Sequence, residues 1–147
     1  MAQTRLKEEQ GITKRWVGVW ADTAALDFSS LGALAQEING GSGNMSVDVT
    51  LMETSDVLIE WCLQHDNSNN YGAHLLLYRG ASNIFSITSQ CLHSQAINNV
   101  MTKFSYLDEN VAAGTYTYKI KAQASGSTSN TTTFNYRSLS VRLVEKQ

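Results

Sequence analysis

The sequence predicts an all-β protein, an antiparallel β-sandwich of jelly-roll type with about eight or nine strands and an extended N-terminal arm. Residues 115 to 124 alternate without a fault. Tyr116, Tyr118, Ile120, Ala122 and Ala124 face one way, and Thr115, Thr117, Lys119, Lys121 and Gln123 the other, the period of two that a half-buried strand requires. Other short alternating runs recur at spacings of roughly 8 to 14 residues, divided by turn-forming clusters. Helical spacing is confined to Leu31, Leu34, Ala35 and Ile38.

Length allows one domain, and a chain of 147 residues buries roughly 70% of its extended surface, so it folds without metal or disulfide. The expected division is an arm over 1–14 and a single domain over 15–147. The body begins with the aromatic, β-prone run Arg-Trp-Val-Gly-Val-Trp at 15–20. Residues 28–38 read as a mostly irregular loop with at most a short helix, which the Asn39–Asn44 cluster would end. Met45, Val47, Val49 and Leu51 then define a strand that carries Asp48 outward. Val57, Ile59, Trp61 and Leu63 oppose Leu58, Glu60, Cys62 and Gln64 in a strand apolar enough to lie centrally. The polar cluster from His65 to Gly72 reads as a turn, so strands 56–65 and 73–79 are expected to pair with each other. Gly80 to Asn83 turns the chain into a strand at 84–88, and Ile97 to Tyr106 forms another that Asp108-Glu109-Asn110 turns toward the last two strands. Those two, 115–124 and 131–143, flank a Ser/Gly/Thr turn.

Charge and motif content exclude several functions. A net charge of −2 does not suit a nucleic-acid partner, since phosphate binding needs a basic surface. No apolar stretch reaches the ~20 residues of a membrane helix, and the first ten residues lack the apolar core of a secretion signal. His65, His74 and His93 have no metal-ligand spacing, and Asp66 to Gly72 lacks the closing glutamate of a calcium loop, position twelve being Leu77. No nucleophile elbow or phosphate-binding glycine loop occurs. The expectation is therefore no catalysis, no cofactor and no metal. Cys62 and Cys91 lack the spacing of a redox or zinc pair and read as two thiols in a chain made in the cytosol.

The segment from Asp108 to Gln123, with Gly114-Thr115-Tyr116-Thr117-Tyr118, and the later Asn135-Tyr136-Arg137-Ser138-Leu139-Ser140-Val141 resemble the closing strands of small jelly-roll domains in tailed-phage virion proteins. Glu53 to Glu60 fits the same pattern, and the resemblance spans roughly residues 45–143. Such domains are similar in architecture to tumour-necrosis-factor and C1q heads, which implies a homotrimer. The resemblance implies a virion component made in the host cytoplasm, either a capsid decoration (cement) protein bound to the major capsid protein or a tail-fibre head contacting host-surface glycans. No shaft or collagen-like repeat precedes the body in this sequence, which favours decoration.

Three groups of residues become candidates. Arg5, Leu6, Lys7, Ile12, Lys14 and Arg15 form a basic, apolar-poor arm suited to pairing with carboxylates on a capsid. Tyr116, Tyr118 and Ile120 offer a rigid apolar stripe for a trimer interface, unless they fill the subunit's own core. Tyr71, on a loop, is the candidate sugar contact.

Overall fold

The computed structural model describes residues 15–22, 26–28, 35–40, 43–67, 73–87, 97–124 and 132–144. Every regular element among them is a β-strand: β1 (Arg15–Asp22), β2 (Leu26–Phe28), β3 (Gln36–Glu37), β4 (Asn39–Gly40), β5 (Gly43–Asn44), β6 (Ser46–Leu51), β7 (Ser55–Asn67), β8 (Ala73–Arg79), β9 (Ser82–Ile87), β10 (Ile97–Val111), β11 (Gly114–Ala124) and β12 (Thr132–Val144). Eight of these have six residues or more, and they build the sandwich. The parts of 28–38 that lie within the described residues hold no helix. Leu26–Phe28 pairs with β12 and Gln36–Glu37 with β11, because both partner strands run on past their longer neighbours and leave edge hydrogen bonds to satisfy.

The long strands form two antiparallel sheets. In the first, the order is β1-β12-β7-β10; in the second, β11 lies between β6 on one side and β8 on the other, and β9 follows β8. Numbered along the eight long strands, the sheets read 1-8-3-6 and 2-7-4-5, the interleaving of a jelly roll. The fold class read from the sequence is the observed one, but the pairing expected of strands 56–65 and 73–79 is not. β7 and β8 lie in different sheets, as do β11 and β12. Alternation identifies a strand and its buried face, whereas the choice of partner depends on contacts far apart in sequence. Of consecutive long strands, only β8 and β9 form a hairpin, turned by Gly80 at φ 59°, whose N–H donates to the Thr117 carbonyl at 2.8 Å.

The core lies between the sheets. From the first come Val57, Ile59, Trp61, Leu63, Leu139 and Val141, and from the second Val47, Val49, Leu75, Leu77, Tyr118 and Ile120, all buried. Each such side chain contributes about 1.5–3 kcal/mol of burial free energy. At the side closed by β9 and β10, Trp61 stacks on Phe104 at 5.5 Å and meets the edge of Phe85 at 6.4 Å, while Phe85 and Tyr106 lie 4.8 Å apart.

Asp108-Glu109-Asn110, expected as a turn, instead sit inside β10 as an irregularity of register between Asp108 and Val111. Asn110 takes φ 55°, a left-handed conformation that asparagine tolerates, and its N–H donates to Asp56 Oδ1 at 2.7 Å. The extra residues let both Asp108 and Val111 point into the sandwich.

Candidate functional site

The period of two that buries one face of β7, β10 and β12 presents their other side chains on the outer face of the first sheet. Register arranges them in rungs. Tyr136, Gln64 and Met101 form one, then Ser138, Cys62 and Lys103, then Ser140, Glu60 and Ser105, then Arg142, Leu58 and Leu107. Ala21 and Val19 of β1 extend the two middle rungs beside Ser138 and Ser140. Most of the side chains in the middle rungs are short and those of the outer rungs long. The result is a trough of about 520 Å³ that crosses the strands. Its lining comes from β12, β7 and β10, and strands lie about 4.8 Å apart, so the trough is on the order of 10 Å across.

Three of the residues lining the trough are charged. Glu60 rises from the floor with its side chain 17% exposed, 2.5 Å from Arg142 Nη2 and 3.4 Å from Lys103 Nζ. The Lys103 side chain is 68% exposed, so its pairing with Glu60 is loose and its ammonium is open to a ligand. Two cations against one carboxylate leave the trough with one positive charge. Cys62 carries a free thiol on the floor, and burial pushes its pKa up, with the Lys103 charge drawing it only partly back. A thiol held in its protonated form is a poor nucleophile.

The outer face of the second sheet is built differently. Glu37 lies 3.1 Å from both Lys119 Nζ and Lys121 Nζ, and Lys121 also sits 4.7 Å above the Tyr78 ring. Burial opposes ionisation of Glu37, but hydrogen bonds from the two lysines and their charge outweigh it and hold the carboxyl below its ordinary range. Among the described residues, no group of three His, Cys, Asp or Glu side chains is placed to hold a metal ion.

A polar clamp joins the sheets at one end. Asp108 Oδ2 accepts from Arg79 Nη1 of β8 and from the Tyr118 hydroxyl of β11, each at 2.8 Å. Burial, then the hydrogen bond to Asp108 and its charge, drive the Tyr118 pKa well above the ordinary phenol value, with Arg79 pulling the other way. Asp108 and Tyr118 are structural, since Asp108 is 8% exposed and Tyr118 not at all.

The candidates named from sequence fall as follows. Tyr118 and Ile120 are fully buried in their own subunit, so they present no surface to a partner, and their assignment to a trimer interface is corrected. The two sheets need large apolar side chains between them, and this stripe supplies them. Tyr116 is half-buried, its hydroxyl donating to the Ala112 carbonyl at 3.1 Å and its ring lying 5.6 Å from the Arg79 guanidinium. Arg15 opens β1 opposite Leu143. Arg5, Leu6, Lys7, Ile12, Lys14 and Tyr71 lie outside the described residues, as does Cys91. The trough was not read from sequence, because its rungs join residues some forty to eighty positions apart; the polar half of each alternation was its one local sign.

No protein-family model and no curated protein matches the sequence. Among solved structures, the chain is similar to the vertex protein P5 of PRD1, with TM-score 0.49 and 13% identity over 92% of this chain and 99% of that one. It is similar to infectious bursal disease virus VP2, with TM-score 0.47 and 12% identity over 90% of this chain, which spans 33% of that one. It is also similar to a carbohydrate-binding module of Cellvibrio mixtus lichenase 5A in complex with cellotriose, with TM-score 0.42 and 17% identity over 90% of this chain and 99% of that one. The jelly-roll assignment rests on the strand order of the chain itself.

Proposed function

We propose that the chain is a non-catalytic structural protein of a virion, a homotrimeric decoration (cement) protein that binds the outer surface of a tailed-phage capsid. The observation that carries this reading is the way the jelly roll places its ends. β1 starts beside the end of β12, Arg15 opposite Leu143, at the pole where the short turns 52–54, 80–81 and 112–113 also lie. Arg15, to which residues 1–14 connect, therefore lies at one pole of the sandwich, away from the centre of the trough face. The resemblance of the closing strands to phage virion domains supports the same reading.

On this reading, attachment belongs to residues 1–14. They hold Arg5, Lys7 and Lys14 for pairing with capsid carboxylates and have only Leu6 and Ile12 as sizeable apolar side chains. A trimer would present three arms, and effective concentration would make three weak contacts act as one strong one. Deleting residues 1–14 is expected to leave melting temperature and oligomeric mass unchanged while abolishing or greatly weakening binding to purified mature capsids. Wild-type occupancy of capsids by the truncated protein would place attachment on the sandwich and overturn this reading.

A further inference from the structure

We propose that the trough across the outer face of the first sheet is a binding site for an acidic glycan, a chain of sugars bearing carboxylates. The inference rests on the trough alone and holds whether the body sits on a capsid or at the end of a fibre. Its extent over three strands accommodates a short run of linked rings, and its position over the central strands β12 and β7 decides the class of ligand. The backbone of those two strands is committed to ladders on both sides, so a peptide laid there finds no edge to join as an added strand. What the floor offers is side-chain polarity: the hydroxyls of Ser138 and Ser140, the second donating to the Glu60 carbonyl at 3.5 Å with its oxygen still able to accept. These are partners for sugar hydroxyls. Tyr136, at one end, supplies an aromatic surface for the apolar face of a ring.

Charge selects an acidic chain over a neutral one. Glu60 neutralises one of the two cations, and its closer partner is Arg142 at 2.5 Å, against 3.4 Å for Lys103. Lys103 is left as the ligand's counter-ion, separated from Tyr136 by one strand and one rung. A ring on Tyr136 thus places the carboxylate of a following sugar at the Lys103 ammonium.

Isothermal titration of the full chain with oligogalacturonate, with a neutral cello-oligosaccharide of equal length and with oligoglutamate tests this. Oligogalacturonate is expected to bind saturably and to weaken as salt rises, with the other two at least tenfold weaker. Lys103→Gln should weaken oligogalacturonate roughly tenfold, the weight of one charge-assisted hydrogen bond, and remove most of the salt dependence. Tyr136→Ala should weaken it similarly with the salt dependence kept. Absence of oligogalacturonate binding, equal binding of oligoglutamate or of the neutral oligomer, or an unaltered affinity in folded Lys103→Gln would each overturn the proposal. Because capsids take no part in this titration, its failure leaves the attachment reading standing, and loss of capsid binding leaves the glycan site standing.

Discussion

Asp108 shows how a single residue can be misread from sequence and why. In a line it belongs to Asp-Glu-Asn, a turn-forming triplet, yet in the fold it is the buried acceptor that ties Arg79 and Tyr118 across the sandwich. The reversal depends on Arg79, 29 positions away, because an isolated aspartate would be expelled from that site by its desolvation cost. The clamp has a pH signature. The folded pKa of Tyr118 is raised above the value near 10 of an unfolded phenol, so its contribution to stability is complete below about pH 10 and is lost as pH rises through the folded value. Urea unfolding from pH 9 upward is expected to show stability falling, and Tyr118→Phe should flatten that fall. At neutral pH the same substitution should destabilise by about 1–3 kcal/mol, since Asp108 loses one of its two donors in a buried site. An equally steep alkaline fall in Tyr118→Phe would show that the clamp is not its cause.

Elements add what residues cannot decide alone, and β1 is the clearest case. Its pairing register with β12 slips between Trp16 and Gly18. At Gly18 the strand passes so close to β6 that an added Cβ would lie 2.5 Å from Val47 Cγ1. A branched side chain on a buried strand has little freedom to withdraw. Gly18→Ala is therefore expected to cost about 1–3 kcal/mol in urea unfolding. A cycle with Val47→Ala should show positive coupling, the second substitution making room for the first. Additive effects would show that the close approach carries no strain. The sequence makes the existence of β1 legible through its aromatic run, but it does not reveal the need for glycine, which arises only where the two sheets meet. The same division holds elsewhere. β6, β7 and β11 were legible with their buried faces, because burial of Val47, Ile59 and Ile120 follows from local alternation. That β7 pairs with β10 and β12 and leaves β8 to the other sheet was not, and the rungs of the trough went unread with it.

At the scale of the whole molecule, the burial of Tyr118 and Ile120 moves the proposed trimer contact to the side of the sandwich. β10 ends the order of the first sheet, so one of its edges has no strand beside it among the described residues. The sequence has no proline with which to block such an edge. Leu107 of β10 is 42% exposed, and Phe104, Tyr106 and Phe85 are packed only partly into the core beneath it. Closed association about a threefold axis would cover this edge and complete the burial of those rings, whereas open pairing of edges would continue without limit. Because such a contact is mainly apolar, salt should screen it little. Light scattering after gel filtration is expected to give three times the 16.2 kDa chain mass at both low and high salt. Leu107→Glu, which sets a charge in the contact while remaining compatible with an exposed strand position in the free subunit, should release a folded monomer. A monomer mass for the unaltered chain at micromolar concentration would overturn the trimer, and a trimer that survives Leu107→Glu would place the contact on another side of the sandwich.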